Sequence, residues 1–246
     1  MARPGGASVS SSPTAAILLV GNELLSGRVR DENLPFLAAE LWRRGVRVTR
    51  ALVVRDDVEA IARAVRELSG EHTYVITTGG IGPTHDDRTI AGVAQAFGLR
   101  VVEDPTLASL IRNHLGDRAT PAHFRMARIP EGAALEREPG SRWPVVRVRN
   151  VFLLPGVPEL VRRKFAAIAP RFSGRPLHRG QIELAAEEAE IAPVLDRFAE
   201  EHPDLEVGSY PDGPVVLVTV EGPDREGVER AVERLRRLTS RWRAPS

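Results

Sequence analysis

The chain has 246 residues, enough for one large domain or for one domain and a small second one. Its 34 basic and 33 acidic residues nearly cancel, so its bulk charge does not point to nucleic acid or to a membrane surface. It contains no cysteine, which excludes disulfides, thiolate metal sites and cysteine catalysis. Residues 1–13 form a polar tail that we expect to be disordered. Because no signal peptide or transmembrane segment is evident, we expect a cytoplasmic protein.

The first 100 residues alternate between strand and helix patterns. Apolar runs predict three buried strands, at Ala15–Val20, Val46–Val53 and Tyr74–Thr77. Helical spacing predicts two helices between them, ending at Gly45 and Gly70, the second capped by Asp56. A third helix reaches Phe97 and stops at Gly98. This alternation indicates βαβ units and therefore an α/β fold with a mostly parallel sheet covered on both faces.

The segment from Asp104 to Pro170 is predicted to complete this domain. Asp104 and Pro105 begin a further helix. Residues 130–144 have the composition of a loop, and Trp143–Arg149 alternates as a strand that Asn150–Leu154 continues. A last helix ends near Pro170.

The segment over residues 172–180 is short, polar and rich in helix breakers, and this indicates a domain boundary. The pattern of residues 180–241 predicts a small α+β domain with the element order βαββα. We therefore expect a tail over 1–13, a first domain over 14–172 and a second domain over 180–241.

Residues 75–87, VITTGGIGPTHDD, carry the strongest chemical signal in the chain. Gly79, Gly80 and Gly82 let a ligand approach the backbone, and the N-terminus of the helix that follows attracts an anion. Asp86 and Asp87 would repel a phosphate unless a cation lay between them. The pattern therefore favours a metal-assisted phosphate or pyrophosphate site, although an aspartate at a helix start can also be only a cap.

Two further motifs accompany this one. The first strand runs into GNELLSG at residues 21–27, followed by Asp31 and Asn33, and LPGVP occupies residues 154–158. In order and spacing, the three motifs resemble the MoaB/Mog (molybdopterin-binding) superfamily. Within it, the chain resembles the N-terminal domain of CinA-type proteins and the molybdopterin-binding-like domain of FAD synthases. The resemblance covers roughly residues 14–170, and the βαββα tail also looks like the small domain that follows in both groups.

The resemblance implies a three-layer α/β domain with a pocket at the carboxyl ends of the strands. It implies a nucleotide or pterin as the small-molecule ligand, and a homo-oligomer, either a dimer or a trimer. The main hypothesis is metal-dependent hydrolysis of the pyrophosphate of FAD or ADP-ribose. The alternatives are a binding module without catalysis and a molybdopterin adenylyltransferase. We expect neither nucleic acid nor a membrane as a partner.

The resemblance also suggests roles for the acidic residues. Asp87 is assigned as the principal ligand of a divalent metal, Mg²⁺, Mn²⁺ or Co²⁺, with Asp86 in support. Glu23 or Asp31 is the candidate base for the attacking water. Glu23 could equally be a solvated loop carboxylate, and Asp31 could be a helix cap.

The remaining candidates are expected to contact the phosphates, ribose, ring or pocket wall, although turns need the same residue types. They are Gly21, Asn22, Asn33, Thr78, Gly79, Gly80, Gly82, Pro83, Thr84, His85, Pro155 and Gly156. The Arg162–Lys164 run is interpreted as a solvated helix face rather than a phosphate clamp, and Trp143 as a packing residue. Residues 136–149 lack the Asn-Pro-x-Gly-Thr-Ala-like segment of CinA-type proteins, which favours the FAD synthase branch.

Overall fold

A computed structural model describes residues 12–137 and 143–243, so most of the predicted tail over 1–13 lies outside the described residues. The chain divides into two compact units between Gly174 and Arg175. In the described part of the chain, no helix is long and apolar enough to cross a bilayer.

The first unit contains eight strands and seven α-helices among its described residues. The strands are β1 Thr14–Val20, β2 Arg47–Val54, β3 Tyr74–Thr78, β4 Val101–Glu103, β5 Arg128–Pro130, β6 Ala134–Glu136, β7 Val145–Val148 and β8 Val151–Leu154. The helices are α1 Asn22–Leu25, α2 Asn33–Trp42, α3 Val58–Glu71, α4 Thr89–Phe97, α5 Pro105–Leu115, α6 Pro121–Phe124 and α7 Pro158–Ile168.

Six of these strands form the central sheet, in the order β2-β1-β3-β8-β7-β6. The first four are parallel, and β7 and β6 are antiparallel to their neighbours. Strand β1 faces two separate apolar cores, because Leu18 packs into one with α3, α4 and α5 while Ile17 packs into the other with α2 and α7. The three-layer, mostly parallel α/β fold is therefore confirmed.

The predicted strand over 143–154 is wrong in one respect, since it is a hairpin. Arg149 has a positive φ of 53°, and the chain reverses there between β7 and β8. The Asn150 side chain fixes the turn, with its Nδ2 donating to the carbonyls of Ser69 at 3.0 Å and His72 at 2.9 Å. The turn contains neither glycine nor proline, so no breaker signal marks it in the sequence.

The helix ends are largely as predicted, with two corrections. Asp104 caps α5 by accepting from the Leu107 N–H at 2.9 Å, and Gly98 ends α4 in the left-handed conformation. Helix α3 is capped by Asp57 instead of Asp56, through the Ala60 N–H at 2.9 Å. Gly70 lies inside α3, because the helix continues to Glu71.

The second unit contains β9 His178–Leu184, α8 Glu188–Glu201, β10 Glu206–Asp212, β11 Val215–Gly222 and α9 Arg225–Leu238. Its strands form an antiparallel sheet in the order β10-β11-β9. The predicted βαββα order is confirmed. Ile191 and Phe198 of α8 and Leu235 of α9 pack against this sheet in a core of the unit's own.

The aromatic cluster under α7 allows a test of the first unit's packing. Phe165 is 1% exposed and stacks on Phe172 at 5.4 Å between ring centroids. Because Phe165→Ala leaves a cavity there, we expect it to lower the free energy of unfolding by about 3–5 kcal/mol. Urea unfolding followed by tryptophan fluorescence measures this. Val29→Ala truncates a side chain that is 51% exposed and should change it by about 0.5 kcal/mol at most. Equal losses for both variants would contradict this packing.

Candidate functional site

The three sequence motifs meet at one edge of the sheet. Strands β1, β3 and β8 are parallel neighbours, so their carboxyl ends lie side by side. Residues 21–25, 79–88 and 155–157 follow these ends directly. Open α/β sheets bind ligands at this edge, in the crevice outside the carboxyl ends of the strands.

Gly79 allows the strand ends to approach one another closely. Its φ is +92°, and a Cβ on it would lie 2.2 Å from the carbonyl oxygen of Val20 at the end of β1. On another side, a Cβ on Gly156 would lie 3.4 Å from the Gly79 Cα. Only a bare backbone fits at position 79, and this explains the first glycine of the motif at residues 75–87.

Thr89 connects the glycine loop to α4. Its hydroxyl donates to the Gly79 carbonyl at 2.8 Å, and its N–H donates to the Gly80 carbonyl at 2.9 Å. No side chain caps α4 in the described structure. Ile90 and Ala91, in the first turn of α4, line a cleft. An anion bound in this cleft can therefore interact with the positive N-terminus of α4.

Asp87 is occupied by its own loop. Its Oδ1 accepts from the Gly82 N–H at 2.7 Å, and its Oδ2 accepts from the Thr84 N–H at 2.8 Å and from the Thr84 hydroxyl. The carboxylate therefore holds the turn between β3 and α4 in shape. A carboxylate has about four acceptor positions, so one remains.

Asp86 presents the exposed carboxylate of the pair, with 63% of its side chain accessible. The neighbouring Thr84 hydroxyl, and then the Asp86 backbone N–H, hold the pKa of Asp86 below its ordinary value. The Thr84 hydroxyl has a single proton, and in this structure it donates that proton to Asp87. The hydroxyl can therefore donate to only one of the two carboxylates at a time. The His85 ring lies 3.9 Å away and is almost fully exposed. Asp86 is thus ionised at neutral pH.

Asp31 and Asn33 hold the segment after β1 in place, and Asn33 also contacts the LPGVP segment at residues 154–158. Asp31 accepts from the N–H groups of Asn33 at 3.1 Å and Leu34 at 2.9 Å, so it caps α2. Asn33 is 6% exposed, and its Nδ2 donates to the Gly156 carbonyl at 2.8 Å. Its Oδ1 has no hydrogen-bond partner among the described residues.

Glu23 and Asp56 lie at the ends of β1 and β2. Asp56 accepts from the Asn22 N–H at 2.8 Å, so its carboxylate fixes the start of α1. Glu23, the second residue of α1, is exposed and lines the same cleft as Asp56.

This cleft has a volume of about 1200 Å³, which exceeds the ~300–1,000 Å³ typical of a small-molecule site. Eleven of the sixteen predicted site residues line it: Glu23, Gly79, Gly80, Gly82, Pro83, Thr84, His85, Asp86, Asp87, Pro155 and Gly156. The other five, Gly21, Asn22, Asp31, Asn33 and Thr78, do not line it.

Sequence reasoning missed the cations of the cleft. Five basic residues line it: Arg88, Arg125, Arg128, Arg163 and Lys164. The fold alone brings Arg125 and Arg128 here, and Arg125 donates to the Pro83 carbonyl at 3.3 Å. Apolar residues from five elements, together with Trp143 just before β7, complete the wall: Ile90, Ile111, Ile129, Trp143, Val146 and Leu160.

The interpretation of residues 162–164 as a solvated helix face is wrong for Lys164. Arg162 is exposed and pairs with Glu32 at 3.2 Å, but Lys164 is half-buried in the cleft wall. The Lys164 Nζ donates to the carbonyls of Trp143 and, at 3.4 Å, Pro144. Burial, and to a lesser extent the positive charge of the neighbouring Arg163, lowers the pKa of Lys164 to about 8.

The donor set limits how a metal could be held. No group of three or more His, Asp or Glu side chains in the described residues could hold one. Mg²⁺ often uses one or two carboxylates together with water and substrate phosphates. Asp86 and the remaining position of Asp87 fit only a cation shared with a ligand in this way.

Comparisons with known proteins agree with the fold and with the motifs. Residues 16–174 match a family model described as a probable molybdopterin binding domain. The chain belongs to the molybdopterin-binding domain family. Residues 176–244 match a second model, described as the middle domain of FAD synthase. The predicted resemblance is therefore confirmed over both units.

Some proteins similar to this chain are about as long as it is, and others are about twice as long. A protein from Archaeoglobus fulgidus is 34% identical over 90% of this chain and 96% of its own length. A probable FAD synthase from Caenorhabditis elegans is 31% identical over 92% of this chain, which spans 50% of that protein. CinA from Thermoplasma acidophilum, a protein of unknown function with a crystal structure, is 31% identical, and its structure has a TM-score of 0.59. The match covers 65% of this chain and 99% of that one.

Gly79 gives a direct test of the site's framework in this molybdopterin-binding domain. Gly79→Ala combines a strained φ with a clash against the Val20 carbonyl. We expect a loss of about 3 kcal/mol or more in the free energy of unfolding. Gly98→Ala is the matched control, since φ is +66° there but nothing lies within 4 Å of the added Cβ. It should cost only about 1 kcal/mol. Denaturant unfolding measures both, and similar losses would argue against the close approach at Gly79.

Proposed function

We propose that the cleft binds a nucleotide or pterin that carries a pyrophosphate, and that it hydrolyses this pyrophosphate with the help of a divalent metal. One observation supports this proposal above all others. The uncapped N-terminus of α4, the exposed carboxylate of Asp86 and a broad apolar wall line a single cleft.

The shape and chemistry of the cleft support a ligand with a flat ring and phosphates. Ile129, Trp143, Val146 and Leu160 offer an apolar surface for a ring, and the volume of about 1200 Å³ leaves room for a dinucleotide. The names of the relatives agree with this ligand class, since one is a probable FAD synthase and the family model is described as a probable molybdopterin binding domain.

Other groups that line the cleft suit the phosphates. Ile90 and Ala91 in the first turn of α4 can donate their N–H groups to a phosphate oxygen. Arg88, Arg128 and Arg163 supply positive charge, and none of the three forms an ion pair with another described residue.

Asp86 and Asp87 take different roles in this proposal. Asp86 would hold the metal, with Asp87 contributing its one remaining position, and the metal would polarise the phosphoryl oxygens. The main task of Asp87 is to keep the loop closed through Gly82 and Thr84.

Glu23 is the better candidate for the base, because Asp31 uses both carboxylate oxygens to cap α2. A water oxygen would bond to phosphorus while the bridging P–O bond breaks. The proton of that water passes to Glu23, and the leaving phosphate keeps the electron pair of the broken bond.

A binding module without catalysis is the second candidate. It is favoured by the hydrogen bonds that occupy Asp87, and by the lack of a group of three metal-ligating side chains in the described residues. Such a module would use the same cleft to hold the ligand without cleaving it.

Substitution of Asp86 separates the two candidates. Metal-stripped protein is supplied with FAD, ADP-ribose or NAD and with Mg²⁺, Mn²⁺ or Co²⁺, and cleavage products are separated by chromatography. We expect cleavage by the wild type and a loss of about 100-fold or more in Asp86→Asn, because one metal-binding oxygen becomes an amide. Asp196→Asn, at an exposed position of α8, is the control and should remain fully active.

Binding is measured on the same proteins by calorimetry. Binding of FAD or ADP-ribose without cleavage under any metal would reject the hydrolase and support the binding module. Full activity in Asp86→Asn would reject the metal assignment. Asp87→Asn should lower both cleavage and the free energy of unfolding, since it removes acceptors from the loop.

A further inference from the structure

Lys164 is the only lysine in the chain. The sequence contains 34 basic residues, and the other 33 are arginines. All the remaining Lys/Arg positions of the chain hold arginine, and the one position that holds lysine lies in the cleft. The two side chains differ in one relevant property, because an amine can lose its proton in a protein whereas a guanidinium does not.

The hydrogen bonds of Lys164 do not by themselves explain a lysine. Its Nζ donates to the carbonyls of Trp143 and Pro144, which anchors this part of the wall to α7. An arginine can also donate to carbonyls. An ammonium has three N–H donors, so one remains for a ligand in the cleft.

No carboxylate compensates the charge of Lys164. Lys164 forms no ion pair with another described residue, and Arg163 beside it is also cationic. Helices and strands packed against α7 include α2, β7 and β8. In α2, Glu40 pairs with Arg43 and Arg44, and in β7, Arg147 pairs with Glu136 of β6. Strand β8 contains no titratable residue.

We propose that Lys164 donates its remaining N–H to a phosphate of the ligand and is the contact through which pH controls binding. This inference rests on the proposed function, because it requires a phosphate-bearing ligand in the cleft. It assigns lysine at position 164 for its ability to titrate.

The direction of the pH effect follows from linkage. The Lys164 pKa is about 8 without a ligand, and a bound phosphate raises it because opposite charges favour the protonated form. Below pH 8 the ammonium is present before binding, so affinity is constant. Above pH 8 binding must also take up a proton, and affinity falls by up to about tenfold per pH unit.

Binding of two flavins to the full chain tests this proposal. FAD carries a pyrophosphate, and riboflavin has the same ring without phosphate. Dissociation constants are measured by fluorescence between pH 7 and 9.5 for the wild type, Lys164→Arg, Lys164→Met and Arg162→Met. Arg162 is the matched control, as a neighbouring cation that pairs with Glu32 and does not line the cleft.

For the wild type and Arg162→Met, we expect FAD binding to weaken about tenfold or more between pH 7 and 9.5. Lys164→Met should bind FAD about 10–100-fold more weakly at pH 7, with no further loss at high pH. Lys164→Arg should show no pH dependence, whatever its affinity. Riboflavin binding should be the same in all four proteins.

Four results would overturn the proposal. A flat pH profile for FAD in the wild type would exclude a titrating contact. An equal loss of riboflavin and FAD binding in Lys164→Met would show that Lys164 only supports the wall at Trp143. Binding of FAD that is unchanged in Lys164→Met would refute the contact but leave the proposed function intact, whereas no binding of any phosphate ligand by the wild type would overturn both.

Discussion

The close approach of three backbone segments governs the rest of the site. The ends of β1 and β3 meet where Gly79 faces the Val20 carbonyl, and the turn after β8 packs on Gly79 through Gly156. No side chain fits at Gly79 between the ends of β1 and β3, so the first two of these segments depend on a bare backbone there. The cleft opens beside this junction, and α4 starts only at Thr89, after the glycine loop.

Polar residues around this junction divide into two groups. Asp31, Asn33, Asp87 and Thr89 use their side chains to hold backbone groups of the loops. Asp86, Arg88, Arg128 and Arg163 are exposed residues that line the cleft, where a ligand can reach them. A loop kept in shape by its own hydrogen bonds does not need to be ordered by the ligand, and this lowers the entropic cost of binding.

The sequence predicted the fold and the centre of the site well, because both depend on local patterns. Apolar strands followed by helices predict the parallel sheet, and residues at the strand ends must then meet. It could not predict Arg125 or Arg128, which reach the cleft only through the packing of α6 and β5. The turn at Arg149 was also missed, since it contains neither glycine nor proline. Lys164 had a signal in the composition of the chain, but its burial follows from tertiary packing.

The strand order has a consequence for how the two units fold. Strand β8 lies beside β3, so residues 151–154 pair with residues 75–78 across more than seventy positions of the chain. The parallel sheet of the first unit cannot be completed until β8 has been synthesised. In the second unit, β10 and β11 pair through a tight turn around Gly213. Local pairing forms faster than distant pairing, so the second unit should acquire its sheet before the first during refolding.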